Sequence, residues 1–408
     1  MSSDKANKMD EPTHKTARLT IRKEELRDRY RVVIIGGGVS GCGLAYALAK
    51  MGVTDVLVLE RKYLTAGATG RCGGGIRQQW ATEENIRLAM GSVKRFEVLA
   101  DELGYDIEYV QGGYLILNYD EKEDKESKKK VALQNRLGLD SRYISPEEAK
   151  EIVPELNTEG VISATFCQTD GHANPFWVTE GYALAARRMG THIITGVEAL
   201  GFKIDGRRIA SVKTSAGEIG AEVVVNAAGA WSAELARKAG VWLPNKPYRH
   251  EILATEPYKH FLDPMIISFS KGIYFSQTKR GEIVGGIGDP HEPSSYNMKS
   301  SFRFVERMAR EMTKIVPLLK NVNIVRQWAG LYDVTPDARP ILGHVPELDN
   351  FIQMNGYSGH GFMIGPMVSR LIAELIVYGE TKTMPIDTLS VTRFKDMDLS
   401  EVESSVVG

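Results

Sequence analysis

A short β-branched run, Arg31-Val-Val-Ile-Ile35, passes directly into Gly36-Gly-Gly-Val-Ser-Gly41, and this junction restricts the fold more than any other feature of the chain. The Ala/Leu-rich stretch Cys42–Lys50 follows, then Met51-Gly52, then Val56-Leu-Val-Leu59 ending in Glu60. The pattern predicts a buried strand, a tight turn, a helix and a second strand, the full context of a dinucleotide-binding fingerprint. Gly36 permits the turn, Gly38 lets backbone approach a pyrophosphate, and Gly41 lets helix and strand pack closely. Val39 and Ser40 lie in the turn before the helix, whose N–H groups and positive dipole end face the phosphates. Glu60 stands where a carboxylate accepts hydrogen bonds from the adenosine ribose and repels a 2′-phosphate.

Composition narrows the class. There are 51 basic and 52 acidic side chains in 408 residues, so the basic excess that nucleic-acid binding needs is missing. The three cysteines, Cys42, Cys72 and Cys167, form no CxxC pair. Their odd number argues for reduced thiols in a cytoplasmic protein. His14, His192, His260, His291 and His344 lack ligand spacing, so no metal site is expected. No apolar run approaches the length of a membrane span. Met1–Arg29 is dense in charge and lacks the apolar core of a signal peptide. It reads as a solvated extension with a short helix near Arg22–Arg29, and peripheral docking to a membrane or partner is left open. Residues 396–408 read as a tail.

The 40 glycines exceed ordinary usage, and many of them cluster. One cluster is Thr69-Gly-Arg-Cys-Gly-Gly-Gly-Ile-Arg-Gln-Gln79. A strand-like run, Glu222-Val-Val-Val-Asn-Ala-Ala-Gly-Ala-Trp231, ends in a small-residue turn. Near the C-terminus stand Gly330-Leu-Tyr-Asp-Val-Thr-Pro-Asp-Ala-Arg-Pro-Ile-Leu-Gly343 and Asn355-Gly-Tyr-Ser-Gly-His-Gly-Phe-Met363, the latter leading into a helical stretch. NAD alone would not need elements so dispersed, whereas a long flavin nucleotide would.

From about Arg31 to about Arg393 the chain resembles the FAD-dependent amine and amino-acid oxidoreductases of the D-amino-acid oxidase type. Through Arg71–Trp80 it is most similar, within that family, to the β subunits of heterotetrameric sarcosine oxidase and of dye-linked proline dehydrogenase. The resemblance implies an α/β fold. A Rossmann-like, mainly parallel FAD-binding domain of the glutathione-reductase type would interleave with an α+β substrate domain built on a mostly antiparallel sheet. Gly36, Gly38, Gly41, Glu60 and Arg61 would hold the adenosine diphosphate. Arg71, Cys72, Gly73, Gly74 and Ile76 would run past the flavin ring, and Val197 would pair its backbone with the adenine. Ala228 and Gly229, in the turn that ends at Trp231, would sit against the pyrophosphate. Gly330, Asp337, Gly359, His360, Gly361, Phe362 and Met363 would surround the isoalloxazine and ribityl. A helix beginning near Phe362 would aim its N–H groups where reduced flavin gathers negative charge.

Departures from the family pattern sharpen this. The cysteine that anchors FAD covalently in monomeric sarcosine oxidases aligns with Gly330, and the histidine that carries covalent FMN in heterotetrameric ones aligns near Pro175. His172 is close by and is not assigned that role. FAD is therefore expected to be non-covalent, and FMN at a subunit interface is left open without support from the sequence. The oxygen-activating lysine aligns with Val284, which favours a dehydrogenase passing electrons to a quinone- or dye-like acceptor. The two basic positions that hold a substrate carboxylate align with Trp80 and Met363. That leaves Arg77, His250, Lys271 and Arg326 as candidates. Tyr274, on a hairpin pairing Gly272–Ser276 with Glu282–Gly286, and Tyr332 are candidate substrate contacts or simply packed rings. His360 reads as structural or acid–base, and Cys72 as a small buried residue or a redox thiol.

Residues 30–105, 160–230 and 325–395 are assigned to the FAD-binding domain, and 106–159 and 231–324 to the substrate domain. Asp120–Lys130, with ten charged residues in eleven, reads as a solvated helix face. Ser145-Pro146 reads as a helix cap and first turn. The expected activity is oxidation of the C–N bond of a secondary or N-methylated amino acid such as proline, hydroxyproline, sarcosine or dimethylglycine. Hydride would pass to flavin N5 and leave an imine. A D-amino acid, glycine or an opine is the alternative substrate. An electron-relay or supporting flavoprotein subunit, acting with an α-type partner or as a homo-oligomer, is the alternative class. An NAD-binding regulatory module would leave the C-terminal glycine loop without a task.

Overall fold

The computed structural model describes residues 18–395. His14, the tail at 396–408 and most of the charged extension lie outside the described residues. Of the helix expected near Arg22–Arg29, one 3-10 turn forms, Lys23–Glu25, and Arg29 already begins a strand. A helix this short cannot repay its nucleation. The sheet also claims the backbone, since Gly220 N–H donates to the Asp28 carbonyl at 2.8 Å.

Two eight-stranded sheets form the frame. The first runs Ile341–His344, Phe351–Asn355, Gly217–Asn226, Arg29–Ile35, Val56–Glu60, His192–Thr195, and Ala199–Asp205 and Arg208–Thr214 extend it beside Gly217–Asn226. Its four central pairings are parallel, with Val32 opposite both Val56 and Val223. Alternation along Val32–Ile35 sends Val32 and Ile34 into one core and Val33 and Ile35 into another, which Tyr30 at the start of the strand also joins. The helices Val39–Lys50, Glu83–Leu103, Pro175–Arg188 and Gly361–Tyr378 cover the first face. Gly361–Tyr378 is, among the described residues, the one helix that by length and composition could cross a membrane. Here most of it is buried in the core, with Val368, Leu371 and Ile372 fully enclosed.

The second sheet runs Ile324–Val334, Lys246–Pro257, Glu282–Ile287, Ile273–Gln277, Met265–Ser268, Tyr114–Asn118, Ser163–Cys167, Arg142–Ile144. All its pairings are antiparallel except Met265–Ser268 with Tyr114–Asn118. The hairpin read from sequence sets Tyr274 opposite Gly286. The helix Phe302–Ile315 buries Phe304, Met308, Met312 and Ile315 against one face of this sheet. The other face is left to the candidate site.

Three segments lie in the other lobe from the one the sequence boundaries give them: the helix Ser232–Arg237 packs Leu235 and Ala236 into the core of the parallel sheet, and two strands cross the other way. Ser163–Cys167 and Ile324–Val334 both belong to the second sheet, although 160–230 and 325–395 were assigned to the nucleotide lobe. The cause is pairing. Ile324–Val334 runs the whole length of Lys246–Pro257, from Lys246 opposite Val334 to Thr255 opposite Ile324.

The charged run lies on the helix Glu121–Arg136, which turns Ser127, Val131 and Gln134 inward. Ser145 closes a capping box: its hydroxyl accepts from Glu148 N–H at 3.2 Å and the Glu148 carboxylate accepts from Ser145 N–H at 3.0 Å. Ser145→Ala is expected to remove about 1 kcal/mol of stability. A denaturant midpoint indistinguishable from wild type would contradict this.

Candidate active site

One long cavity runs between the two sheets, from the turn after the first strand to the open face of the second sheet. At one end Gly36 takes φ +124°, and a Cβ there would stand 2.2 Å from the Ala227 carbonyl oxygen, so only glycine makes this turn. Gly41 is as tightly placed, its virtual Cβ falling 1.9 Å from the Gly36 oxygen. It packs the helix on the turn and does not line the cavity. Gly38, Val39 and Ser40 do line it. The N-cap residue of the helix they open, Gly38, has no side chain; Val39 N–H donates to the Thr69 hydroxyl at 3.2 Å, and the positive dipole end faces the cavity.

The Glu60 carboxylate closes this end, accepting from Gly37 N–H at 2.9 Å and Lys62 N–H at 2.8 Å. Val197 donates its N–H to the Glu60 carbonyl at 3.0 Å and also lines the wall. Ala228, Gly229 and Trp231 form the opposite wall, with the Arg61 guanidinium 4.0 Å from the Trp231 ring. Tyr296 stacks on Trp231 at 5.7 Å and Met298, from the same loop, reaches the cavity.

Arg71, Cys72, Gly73 and Gly74 line the middle. The Arg71 guanidinium is committed to backbone, donating to the Ala66 and Ala329 carbonyls. This brings it against Gly330, where a Cβ would lie 3.0 Å from Arg71 Cβ. Burial raises the Cys72 thiol to about 11, so it stays protonated, and it donates to the Thr69 carbonyl. A reactive thiolate is not what this environment favours.

At the far end the loop 356–361 and the first turn of Gly361–Tyr378 enclose the cavity through Gly359, His360, Gly361, Phe362 and Met363. The N-cap residue of this helix also gives no side-chain cap. Asp333 holds the loop in place: its carboxylate accepts from Gly356 N–H at 2.6 Å and from the Asn245 amide, and its carbonyl accepts from Ser358 N–H. Burial pushes the Asp333 carboxyl up to about 7.

Three rings of the second sheet form the facing wall. His250 lies between Tyr332, at 4.5 Å and 9°, and Tyr274, at 5.5 Å and 14°. Register explains the stack: His250 pairs with Gly330, and Tyr274 pairs with Gly286, which itself pairs with Ile252, two residues along the strand from His250. Burial pushes the His250 imidazole down to about 4, so it is neutral at physiological pH. It therefore cannot be the cation sought for a carboxylate. Lys271, set over Tyr119, and Arg326, set over Trp328, do not line the cavity. Arg77 does, and it is 3% exposed. Its guanidinium lies 3.8 Å from the Trp80 ring and donates to the Gln79 carbonyl, while Trp80 in turn packs on His360 at 4.5 Å. Behind it, buried Asp170 accepts from Gln78 N–H and the Gln79 amide, with its carboxyl raised to about 6 by burial.

Besides Gly41, Lys271 and Arg326, two more residues named from sequence lie elsewhere. Ile76 points into the core beside the parallel sheet, because its backbone pairs with Gly171 and turns the side chain away from the cavity. Asp337 is fully buried in a cluster with Arg339 and Arg393. Sequence reading missed Tyr114, Asp333, Tyr357 and Met298 as wall residues. Asp333 and Tyr357 lie in the glycine-rich stretches quoted above. Tyr114, within Tyr-Leu-Ile-Leu-Asn, carries no signal beyond that of a core strand.

Comparison with known proteins shows the family and the fold. Residues 31–375 match a family model described as FAD dependent oxidoreductase. A sarcosine oxidase subunit beta from Arthrobacter sp is 31% identical over 367 residues, covering 88% of this chain and 90% of that protein. The structure of L-proline dehydrogenase from P. horikoshii superposes with a TM-score of 0.87 at 40% identity, covering 91% of this chain and 99% of the other. Glycine oxidase from Geobacillus kaustophilus shares the fold, with a TM-score of 0.84 at 24% identity over 91% of this chain and all of the other (100%).

Proposed function

The chain belongs to the family of FAD-dependent oxidoreductases and acts on amino acids, and we propose that it is a dehydrogenase for the C–N bond of a secondary or N-methylated amino acid such as proline, hydroxyproline, sarcosine or dimethylglycine. The residues present suit FAD. Two helix N-termini whose own N-cap residues give no side-chain cap open on one cavity, the first beside a glycine turn that no side chain fills and the second beside the ring stack. Gly330 offers no side chain for a covalent link, so the cofactor is held non-covalently. When bound, FAD supplies the acceptor for the hydride on the carbon beside nitrogen.

One observation carries the substrate class: the buried Arg77 guanidinium in a wall of neutral rings. A planar guanidinium suits a carboxylate, and low polarity around it strengthens the pair. Gln78, Gln79 and Asp170 brace the segment from behind. Tyr274, Tyr332 and Trp80 exclude water from the amine end. Since Asp333 is tied to Asn245 and Gly356, no free carboxylate waits there to trap the amine as an ammonium ion. The substrate therefore reacts as the neutral amine, without a strong base. The lysines that line the cavity, Lys62 and Lys238, adjoin the Glu60 and Trp231 segments at the opposite end, which favours an acceptor other than oxygen. The name of the sarcosine oxidase relative, a subunit beta, supports a partner subunit.

Dye-linked assays across these amines, with D-amino acids and glycine included, test the reading with and without air. Turnover with dye and slow peroxide formation are expected; fast peroxide formation would overturn the dehydrogenase assignment. Activity of the purified chain alone separates an enzyme from a supporting subunit. Arg77→Met is expected to raise KM for the amino acid at least about 30-fold, the equivalent of about 2 kcal/mol for a charge-assisted pair. The carboxylate-free amine should respond far less. An unchanged KM would move the carboxylate site elsewhere.

A further inference from the structure

His250 is the one ring of the three-ring wall with no assigned task. It is 5% exposed, lines the cavity, and its Nε2 has no hydrogen-bond partner among the described residues. An unpaired buried polar atom is costly, and a site that carries one is usually completed by a ligand or water. The faces of the imidazole are taken by Tyr332 and Tyr274, so only its edge can meet a ligand. The surroundings keep that edge open. A Cβ on Gly286 would stand 2.8 Å from His250 Nε2 and 3.0 Å from Tyr274 Oη, so a side chain there would crowd both atoms. The tyrosines are held in turn by glycines of the cofactor loops: a Cβ on Gly73 would lie 3.3 Å from Tyr274 Cε2, and one on Gly359 would lie 2.6 Å from Tyr332 Cε2. The stack is thus built against both loops that the family resemblance brings to the flavin.

We propose that His250 contacts the substrate, accepting the N–H of a bound secondary amine and so selecting secondary over tertiary amino acids. This rests on the amino-acid dehydrogenase reading above. A neutral imidazole always carries one N–H and one lone-pair nitrogen, and it cannot anchor a carboxylate as a cation would. Arg77 meets that need, which leaves the amine for His250. A neutral secondary amine keeps one N–H to donate, whereas a neutral tertiary amine has none. With the tertiary substrate, a buried acceptor and a buried nitrogen are both left without the bond, and sites built on such bonds discriminate strongly.

The test measures anaerobic flavin reduction and dye-linked kcat/KM for two pairs, proline with N-methylproline and sarcosine with dimethylglycine. Wild-type protein should favour the secondary amine of each pair by at least about tenfold. His250→Phe keeps a stacking ring without nitrogens and should retain FAD while the preference collapses towards unity. His250→Gln, which restores an acceptor, should recover part of it. A preference unchanged in His250→Phe overturns the proposal, as does FAD loss in both variants, which would make His250 a packing residue. Failure of all four amines to reduce the wild-type flavin would instead sink the dehydrogenase reading.

Discussion

A Gly38→Leu chain is expected to fold and to be purified without FAD. Gly38 takes φ −88°, open to any residue, and a Cβ there meets only the Thr69 side chain, 2.9 Å from a hydroxyl that can rotate away at the cost of its bond from Val39 N–H. The fold can absorb that contact. The leucine side chain, however, would project over the N-terminus of Val39–Lys50, where the phosphates must come close to backbone N–H groups. FAD affinity should fall at least about 100-fold, or about 2.7 kcal/mol. The ratio of visible to ultraviolet absorbance and a titration with added FAD measure it. A variant that remains yellow and titrates like wild type would show that the phosphates do not pass Gly38. Gly41 is no substitute for this experiment, because a Cβ there meets backbone and would test packing.

Asp337→Asn is expected to cost about 3–5 kcal/mol of stability, the usual result of breaking a buried ion pair from one side. Asp337 is fully buried, 2.9 Å from Arg339 Nε and 2.8 Å from Arg393 Nε. Arg393 also donates to the Arg339 and Leu389 carbonyls, so this carboxylate clamps the end of the described chain to the turn after Ile324–Val334. Removing its charge leaves two cations facing each other. The two arginines hold the Asp337 carboxyl below its ordinary value. Its stabilising effect is therefore present above the unfolded value of about 3.9 and is lost as pH falls through the folded value. Wild type and variant should differ most near neutrality and converge in acid. Denaturant unfolding at several pH values measures this. A variant of native stability that instead lost FAD would restore Asp337 to the cofactor wall.

Asp337 also shows what sequence can and cannot reveal. Asp333 and Asp337 lie four residues apart in one motif-like stretch, and nothing local says which one faces the cavity. Tertiary pairing decides it: Asp333 ends a strand of the second sheet, while Asp337 meets an arginine 56 residues later. The Gly36–Glu60 unit was legible because its determinants are local, in a period-two strand, a glycine turn and a helix in direct succession. The hairpin around Tyr274 was legible for the same reason. The His250 stack was not, since it exists only through the register of Lys246–Pro257 with strands on either side. Ile324–Val334 was assigned to the wrong lobe because a strand's own residues do not name its partner. Arg77 could be listed among cations but not chosen, because Lys271 and Arg326 were excluded by the shape of the cavity alone.

The helix Gly361–Tyr378 gives this arrangement a thermodynamic consequence. Its first turn is cavity wall, and its remaining turns are core packed on Val39–Lys50 and Glu83–Leu103. The native chain therefore cannot bind at that turn without adding the binding free energy to its resistance to unfolding, about 2.7 kcal/mol when free ligand stands at a hundred times its Kd. Cofactor supply thus sets how much of the chain survives heat or proteolysis. Shortage of flavin would thin out the protein itself before it slowed any surviving molecule.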